Sequence, residues 1–307
     1  NHRKWLKITN AFKKRLELIY NACSFNEKKS ETKILDCHKH LWQNITKEKN
    51  IVLSDEDESF RNLKAPKTYT FTLPSTLVLK LRPYQEEGFF WLRQHYEEKN
   101  PAILADDMGL GKTFQPLTLL EDVLKKEKSK SLILAPSSVL NNWKTEALKL
   151  SRNIKAFIYH GPDRQEKFFL EASDKNLIIS SYGVLRHDFD FFIREAWHVV
   201  VFDEAQELKN PSAQITKLAV NLEAKWKLAL SGTPVENNIY DLWSLFNVLK
   251  KNFLGPLEQF KAEFSEKNDH LQIKDLKKIV ANFILRREKK DYLKELPQKT
   301  ELTRYIK

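Results

Sequence analysis

The stretch Ala102-Ile103-Leu104-Ala105-Asp106-Asp107-Met108-Gly109-Leu110-Gly111-Lys112-Thr113 decides the fold. A short apolar run reads as a buried strand, and the residues after it meet the needs of a phosphate loop that opens a helix. Glycines let backbone N–H groups face phosphates at a helix N-terminus, a lysine meets the β and γ phosphates, and a threonine hydroxyl suits Mg²⁺. Asp106 stands where the generic pattern has its first glycine, so the pattern is met in part. Alone, the segment reads as well as a strand-to-helix turn with an exposed lysine. A helix beginning near Gly111 would lose an early hydrogen bond at Pro116 and kink there.

Outward from this loop, short apolar runs alternate with helical stretches, the signature of parallel strands joined by crossover helices. The runs are Ala102–Ala105, Ser131–Ala135, Ala156–Tyr159, Leu177–Ile179, Val199–Phe202 and Lys227–Leu230, enough for one doubly wound α/β sheet. Pro83 stands where a helix can begin, and a helical run follows through Tyr96. After Pro234 the strand signals stop and the chain reads helical almost to its end. On the N-terminal side, Trp5, Leu6, Ile8, Phe12, Leu16, Ile19 and Tyr20 lie near helical spacing, so residues 1–50 read as helical. The acidic stretch Ser54–Glu58 reads as a solvated linker, and Tyr69–Leu73 alternates as a half-buried strand closed by Pro74.

A second segment strengthens the phosphate-loop reading. Val199-Val200-Val201-Phe202-Asp203-Glu204 is a buried strand that delivers two carboxylates to its C-terminal end, where ligands bind in open α/β sheets. In nucleotide hydrolysis Asp203 would hold Mg²⁺, and Glu204 would orient or deprotonate the attacking water.

Composition bounds the rest. The chain has 307 residues, room for two domains at about 100–200 residues each. Fifty-two Lys and Arg against 41 Asp and Glu leave a formal charge of +11, which points to a polyanionic partner. No apolar run approaches the roughly 18 residues of a membrane span, so no membrane partner is expected. Two cysteines make no disulfide framework and agree with a reducing compartment. Cys23, Cys37, His38 and His40 do not form the paired ligand spacing of a zinc site, because Cys23 lacks a close partner. The only methionine is Met108, so residue 1 reads as a position inside a longer protein.

The order of segments resembles the Swi/Snf-type ATPases of helicase superfamily two. The resemblance is carried by Asp106–Thr113, by Asp203-Glu204-Ala205-Gln206 with Lys209-Asn210, and by Leu230-Ser231-Gly232-Thr233-Pro234-Val235-Glu236-Asn237. Leu81-Arg82-Pro83-Tyr84-Gln85 with Gly88 resembles the family's adenine-reading Q motif, and Ala135-Pro136-Ser137 with Trp143, His160-Gly161 and Ser181–Leu185 resemble its DNA-side motifs. Phe283-Ile284-Leu285-Arg286-Arg287 with Leu296-Pro297 resembles the lobe's closing segment.

The resemblance implies a RecA-like doubly wound sheet with a helical protrusion and an N-terminal, mainly helical extension. It implies an accessory segment over residues 1–64, the ATP-binding lobe over 65–237, and the protrusion and closing segment over 238–307. It further implies ATP and Mg²⁺ as cofactors. Gln85, Asp107, Met108, Gly109, Leu110, Gly111, Lys112 and Thr113 would bind ATP, Thr113 and Asp203 would hold the metal, and Lys112, Asp203 and Glu204 would be catalytic. Ser231 and Thr233 would couple nucleotide state to DNA grip, and Ser137, Gly161, Ser181 and Tyr182 would follow a double-stranded DNA backbone.

For the last four residues the plain alternative is loop structure, and for Trp143 it is helix-to-sheet core. Gln206 replaces the family's commoner histidine. The second RecA-like lobe has no counterpart before Lys307, so residues 1–307 alone are expected to be nearly inactive. The other readings are a nucleotide-dependent DNA- or partner-binding module without turnover, and an RNA-directed relative. The expected location is nucleoid-associated cytoplasm in a bacterium or the nucleus in a eukaryote.

Overall fold

A computed structural model describes residues 23–26, 31–34, 69–124, 130–232, 239–264, 276 and 279–292. Thr233, Cys37, His38, His40, the acidic stretch 54–58 and the helical pattern of residues 5–20 lie outside them. The chain divides into two compact units, one comprising Leu73–Gln206, Ala224–Pro234 and Ile284–Lys307, the other Asn1–Thr72, Glu207–Glu223 and Val235–Phe283.

Within residues 1–50, expected to be helical, β1 (Cys23–Asn26) and β2 (Glu31–Ile34) form an antiparallel pair that sets Phe25 opposite Thr32. Residues with strand preference, Phe25, Thr32 and Ile34, override the sparse helical spacing there.

The first unit carries the sheet. In chain order its elements are α1 (Pro83–Glu98), β3 (Ala102–Leu104), α2 (Phe114–Leu124), β4 (Lys130–Ala135), α3 (Leu140–Leu150), β5 (Ala156–Ile158), α4 (Arg164–Glu171), β6 (Leu177–Ser181), α5 (Tyr182–His187), α6 (Phe189–Arg194) and β7 (Trp197–Phe202). After α7 (Gln214–Asn221), which belongs to the other unit, β8 (Ala224–Leu230) returns to the sheet. With a final strand β9 (Ile284–Leu285), the order is β5-β6-β4-β7-β8-β3-β9, with every pair parallel.

All six expected strands are present. The seventh, β9 (Ile284–Leu285), pairs with β3 and corrects the reading of everything after Pro234 as helical. Tyr69–Leu73 forms no strand; Tyr69 and Phe71 instead stack ring on ring, 5.3 Å apart. The core lies on both faces of the sheet. Leu132, Ile133, Val199, Val200, Val201, Leu228, Ile103 and Leu104 are completely buried, as strands covered by helices on both sides must be.

The second unit is helical where described between residues 207 and 264, with α7, α8 (Ile239–Leu249) and α9 (Leu257–Glu263). The Trp243 indole donates to the Gly255 carbonyl at 3.0 Å, the Ser244 hydroxyl donates to that of Leu208 at 2.7 Å, and Phe246 stacks on Phe253. No helix among the described residues is long and apolar enough to cross a membrane.

Candidate nucleotide site

Three neighbouring strands, β7, β8 and β3, end in register: Phe202 pairs with Ala229, and Leu104 with Leu230. Their C-terminal ends therefore deliver Asp203, Ser231 and the phosphate loop to one edge of the sheet, Asp203 and the loop being two strand spacings, about 10 Å, apart. A Cβ built on Gly232 would lie 3.8 Å from Lys112 Nζ and 3.9 Å from Met108 Cε, so the residue after Ser231 abuts the phosphate loop.

The loop is shaped by its contacts. Gly111 has φ +68°, and a Cβ there would meet Gln85 Nε2 at 2.6 Å, so glycine alone fits both the backbone and the space. Gln85 donates to the Leu110 carbonyl at 3.2 Å while its amide oxygen accepts from the Arg82 N–H at 3.0 Å, where α1 begins. The Tyr84 hydroxyl donates to the same Leu110 carbonyl at 3.0 Å. Lys112 Nζ donates to the Asp106 carbonyl at 2.5 Å. Leu110 is buried and Met108 is 70% exposed at the loop surface.

Pro116 does not kink the helix. Because α2 starts at Phe114, the proline occupies the third helical position, where no N–H has an intrahelical partner. The turn before it closes through Phe114 N–H to Gly111 O at 3.2 Å, and Leu117 N–H reaches Thr113 O at 3.2 Å.

The carboxylate pair is held from three directions. Asp203 Oδ2 accepts the Trp143 indole N–H at 2.8 Å, its Oδ1 accepts the Glu204 N–H at 2.9 Å, and its carbonyl accepts the Tyr182 hydroxyl at 2.7 Å. Glu204 has φ +46°, unusual for a residue with a side chain. Gln206 Nε2 donates to Glu204 Oε2 at 2.8 Å while Gln206 Oε1 accepts from the Ser231 hydroxyl at 3.3 Å, so this glutamine links the acidic pair to the end of β8. Burial pushes the Asp203 carboxyl above the ordinary aspartate range. The Trp143 donor opposes this shift, the charge of Glu204 reinforces it, and the Glu204 N–H and Lys112 also oppose it.

Along the same C-terminal end of the sheet, β6 ends at Ser181, while Ser137 follows the end of β4 by two residues and Gly161 the end of β5 by three. Ser137 is exposed, and a Cβ at Gly161 would meet nothing within 4 Å. Ser181 caps α5 by accepting from the Val184 N–H at 3.3 Å and lies 3.4 Å from His160 Nδ1. Tyr182 is buried with its hydroxyl on Asp203, which ties this row to the carboxylate pair. Trp143 is core and site at once: it is 2% exposed and its N–H is spent on Asp203.

The SNF2-related domain family matches residues 84–307. The chain belongs to the SNF2 family. Similar relatives of this SNF2-family chain include an uncharacterized ATP-dependent helicase of Mycoplasma genitalium, 37% identical over 78% of the chain and 23% of the relative. Another is the ISWI chromatin-remodeling complex ATPase ISW2 of Saccharomyces cerevisiae, 35% identical over 74% of the chain and 21% of the relative. The chain thus spans about a quarter of these curated relatives. The SWI2/SNF2 ATPase core of Sulfolobus solfataricus, solved in complex with double-stranded DNA, superposes with a TM-score of 0.68. It is 36% identical, and the match covers 75% of the chain and 49% of that structure's chain. The RecA-like α/β architecture expected from the motifs is therefore the fold.

Sequence reading took Arg287 only as part of the closing segment, with no contact assigned to it, and the fold carries it to the loop Asp106–Thr113 across 181 positions. Its guanidinium donates to both oxygens of the fully buried Asp106 carboxylate, to the Tyr84 carbonyl and, at 2.6 Å, to Gln115 Oε1. The one signal was an aspartate in place of the phosphate loop's first glycine: a carboxylate in so buried a place calls for a cation.

Proposed function

We propose that this chain supplies the ATP-binding lobe of an ATP-dependent double-stranded DNA translocase, a remodeller-like ATPase that hydrolyses ATP when joined to a second RecA-like lobe. The observation that carries the reading is the alignment of β7, β8 and β3, which sets Asp203-Glu204 and Lys112 at one sheet edge with Gln206 bridging Glu204 to Ser231.

Lys112 supplies the charge for the β and γ phosphates and must leave the Asp106 carbonyl to do so. Glu204 accepts the proton of the attacking water, oriented by the Gln206 amide. Gln85 reads the adenine with the amide hydrogen that its loop contact leaves over. The residues suit Mg²⁺: a half-buried carboxylate beside a second one and a threonine hydroxyl are hard oxygen donors. Thr113 and Asp203 would hold the ion, which would neutralise phosphate charge.

Ser231, with Thr233, relays phosphate state, and Ser137, Gly161, Ser181 and Tyr182 face or support the DNA track. Residues 1–64 would be the accessory segment, 65–237 the lobe and 238–307 the protrusion and closing segment. Work on genomic DNA implies nucleoid-associated cytoplasm in a bacterium or the nucleus in a eukaryote.

The test is ATP turnover by the chain joined to a second lobe, with duplex DNA, single strands and RNA compared. Preferential stimulation by duplex is expected. Stimulation by RNA alone, or nucleotide-dependent binding with no turnover, would contradict the reading.

A further inference from the structure

The contacts around Arg287 form a closed ring. Arg287 Nε donates to Asp106 Oδ1 at 2.9 Å and Nη2 to Asp106 Oδ2, while Gln115 Nε2 donates to that second oxygen at 3.0 Å and its Oε1 accepts from Nη2. Nη1 donates to the Tyr84 carbonyl. The guanidinium also lies 5.4 Å from the Tyr84 ring centre and 6.0 Å from that of Tyr292, whose rings meet edge on.

Backbone bonds run alongside. Ala105 N–H donates to Leu285 O at 2.7 Å, Asp107 N–H to Arg287 O at 3.0 Å, and Lys289 N–H to Asp107 Oδ2 at 2.9 Å. The segment 285–289 is thus laced along the first residues of the phosphate loop. Gly88 makes room for the ring: a Cβ there would lie 1.7 Å from Gln115 Oε1 and 2.9 Å from Arg287 Nη2.

We propose that Arg287 is a positioning residue for the phosphate loop. By fixing the Asp106 carboxylate it fixes the Asp106 carbonyl on which Lys112 rests, and by holding the Tyr84 carbonyl it fixes the helix whose Tyr84 and Gln85 side chains grip Leu110. Only a planar fork reaches a carboxylate, a carbonyl and an amide oxygen together, so lysine cannot replace it. A shift of residues 285–289 would move the loop, and nucleotide on the loop would in turn steady that segment. This role rests on the nucleotide-binding reading of the loop.

The experiment is binding of Mg²⁺ with a fluorescent methylanthraniloyl-ADP to the 307-residue chain, with thermal unfolding of the same samples. Lys112→Ala serves as the reference for loss of the phosphate site. Arg287→Lys should stay folded and bind at least about fivefold more weakly, on the scale of lost supporting contacts at ligand sites. The pair Asp106→Asn with Arg287→Met removes both buried charges, so its unfolding temperature should return close to wild type while affinity stays at least about fivefold down. A purely structural ring would recover both quantities, and a smaller loss of affinity in either folded variant overturns the proposal.

Wild-type protein gives an independent check, because amide hydrogen exchange over residues 285–289 should slow when the analogue binds. Unchanged exchange there also overturns it. If the wild-type chain fails to bind the analogue at all, the nucleotide reading itself falls.

Discussion

The Trp143 indole N–H donates to Asp203 Oδ2 at 2.8 Å, from the core of α3 to the end of β7. A residue that packs against the sheet thereby also fixes one oxygen of the carboxylate proposed to hold Mg²⁺. Trp143→Phe keeps most of the packing and removes the donor. Its loss should cost about 1.5–3 kcal/mol of stability, the range for hydrogen bonds to charged groups, and weaken Mg²⁺-dependent nucleotide binding several-fold. Chemical denaturation and nucleotide titration check this; wild-type values in both would show that the bond is idle.

Asp188 supplies a pH prediction. Its carboxylate accepts Arg164 Nε at 2.6 Å and Nη2 at 2.7 Å together with the Tyr159 hydroxyl at 2.8 Å. The Arg164 hydrogen bonds hold its pKa below the ordinary aspartate value against the opposing pull of burial, and the Tyr159 bond adds to the lowering. A depressed folded pKa means that the stabilisation is complete above the unfolded value of about 3.9 and is lost as pH falls through the lower folded value. Asp188→Asn should therefore be less stable than wild type by about 1–3 kcal/mol near neutrality, with the gap closing in acid. Denaturation curves across that range check it; a gap that is constant with pH would contradict the assignment.

Pro116→Ala separates two readings of the helix behind the phosphate loop. With the proline at the third helical position no hydrogen bond is regained, and freeing the unfolded chain should cost about 0.4–1 kcal/mol. A kinked helix would instead be relieved, stabilising the variant by as much as about 3 kcal/mol. The sign of the change in the denaturation midpoint decides.

The six strands from β3 to β8 were legible because each contains a short apolar run, as burial on both faces demands. The seventh was not, since the two residues of β9 carry no period and depend on the edge that β3 offers. Tyr69–Leu73 shows the opposite failure: it has the alternation of a strand but no ladder. Residue types alone singled out Asp106–Thr113 and Asp203-Glu204, and the fold sets both at the C-terminal ends of β3 and β7. The ring joining Arg287, Asp106, Gln115 and Tyr84 could not be singled out so, because it closes between segments far apart in the chain and uses residue types that elsewhere are ordinary surface. Pro116 looked disruptive only while the first helical residue was unknown.

Lys112→Ala removes the cation at the loop and its bond to the Asp106 carbonyl. Nucleotide affinity and turnover should both fall, while unfolding changes little because the lysine is only half-buried. Equilibrium binding alongside steady-state hydrolysis checks it, and unchanged affinity would remove Lys112 from the phosphate site.

Glu204 is central to the proposed chemistry, as the carboxylate that takes the proton of the attacking water. Glu204→Gln keeps the shape and a hydrogen-bonding group but not the base. In the chain joined to a second RecA-like lobe, DNA-stimulated ATP hydrolysis should drop by about 10²–10⁴-fold while ATP is still held. Single-turnover hydrolysis with saturating duplex DNA measures it. An ATP-bound protein that barely turns over is the predicted result, and hydrolysis near the parental rate would contradict it.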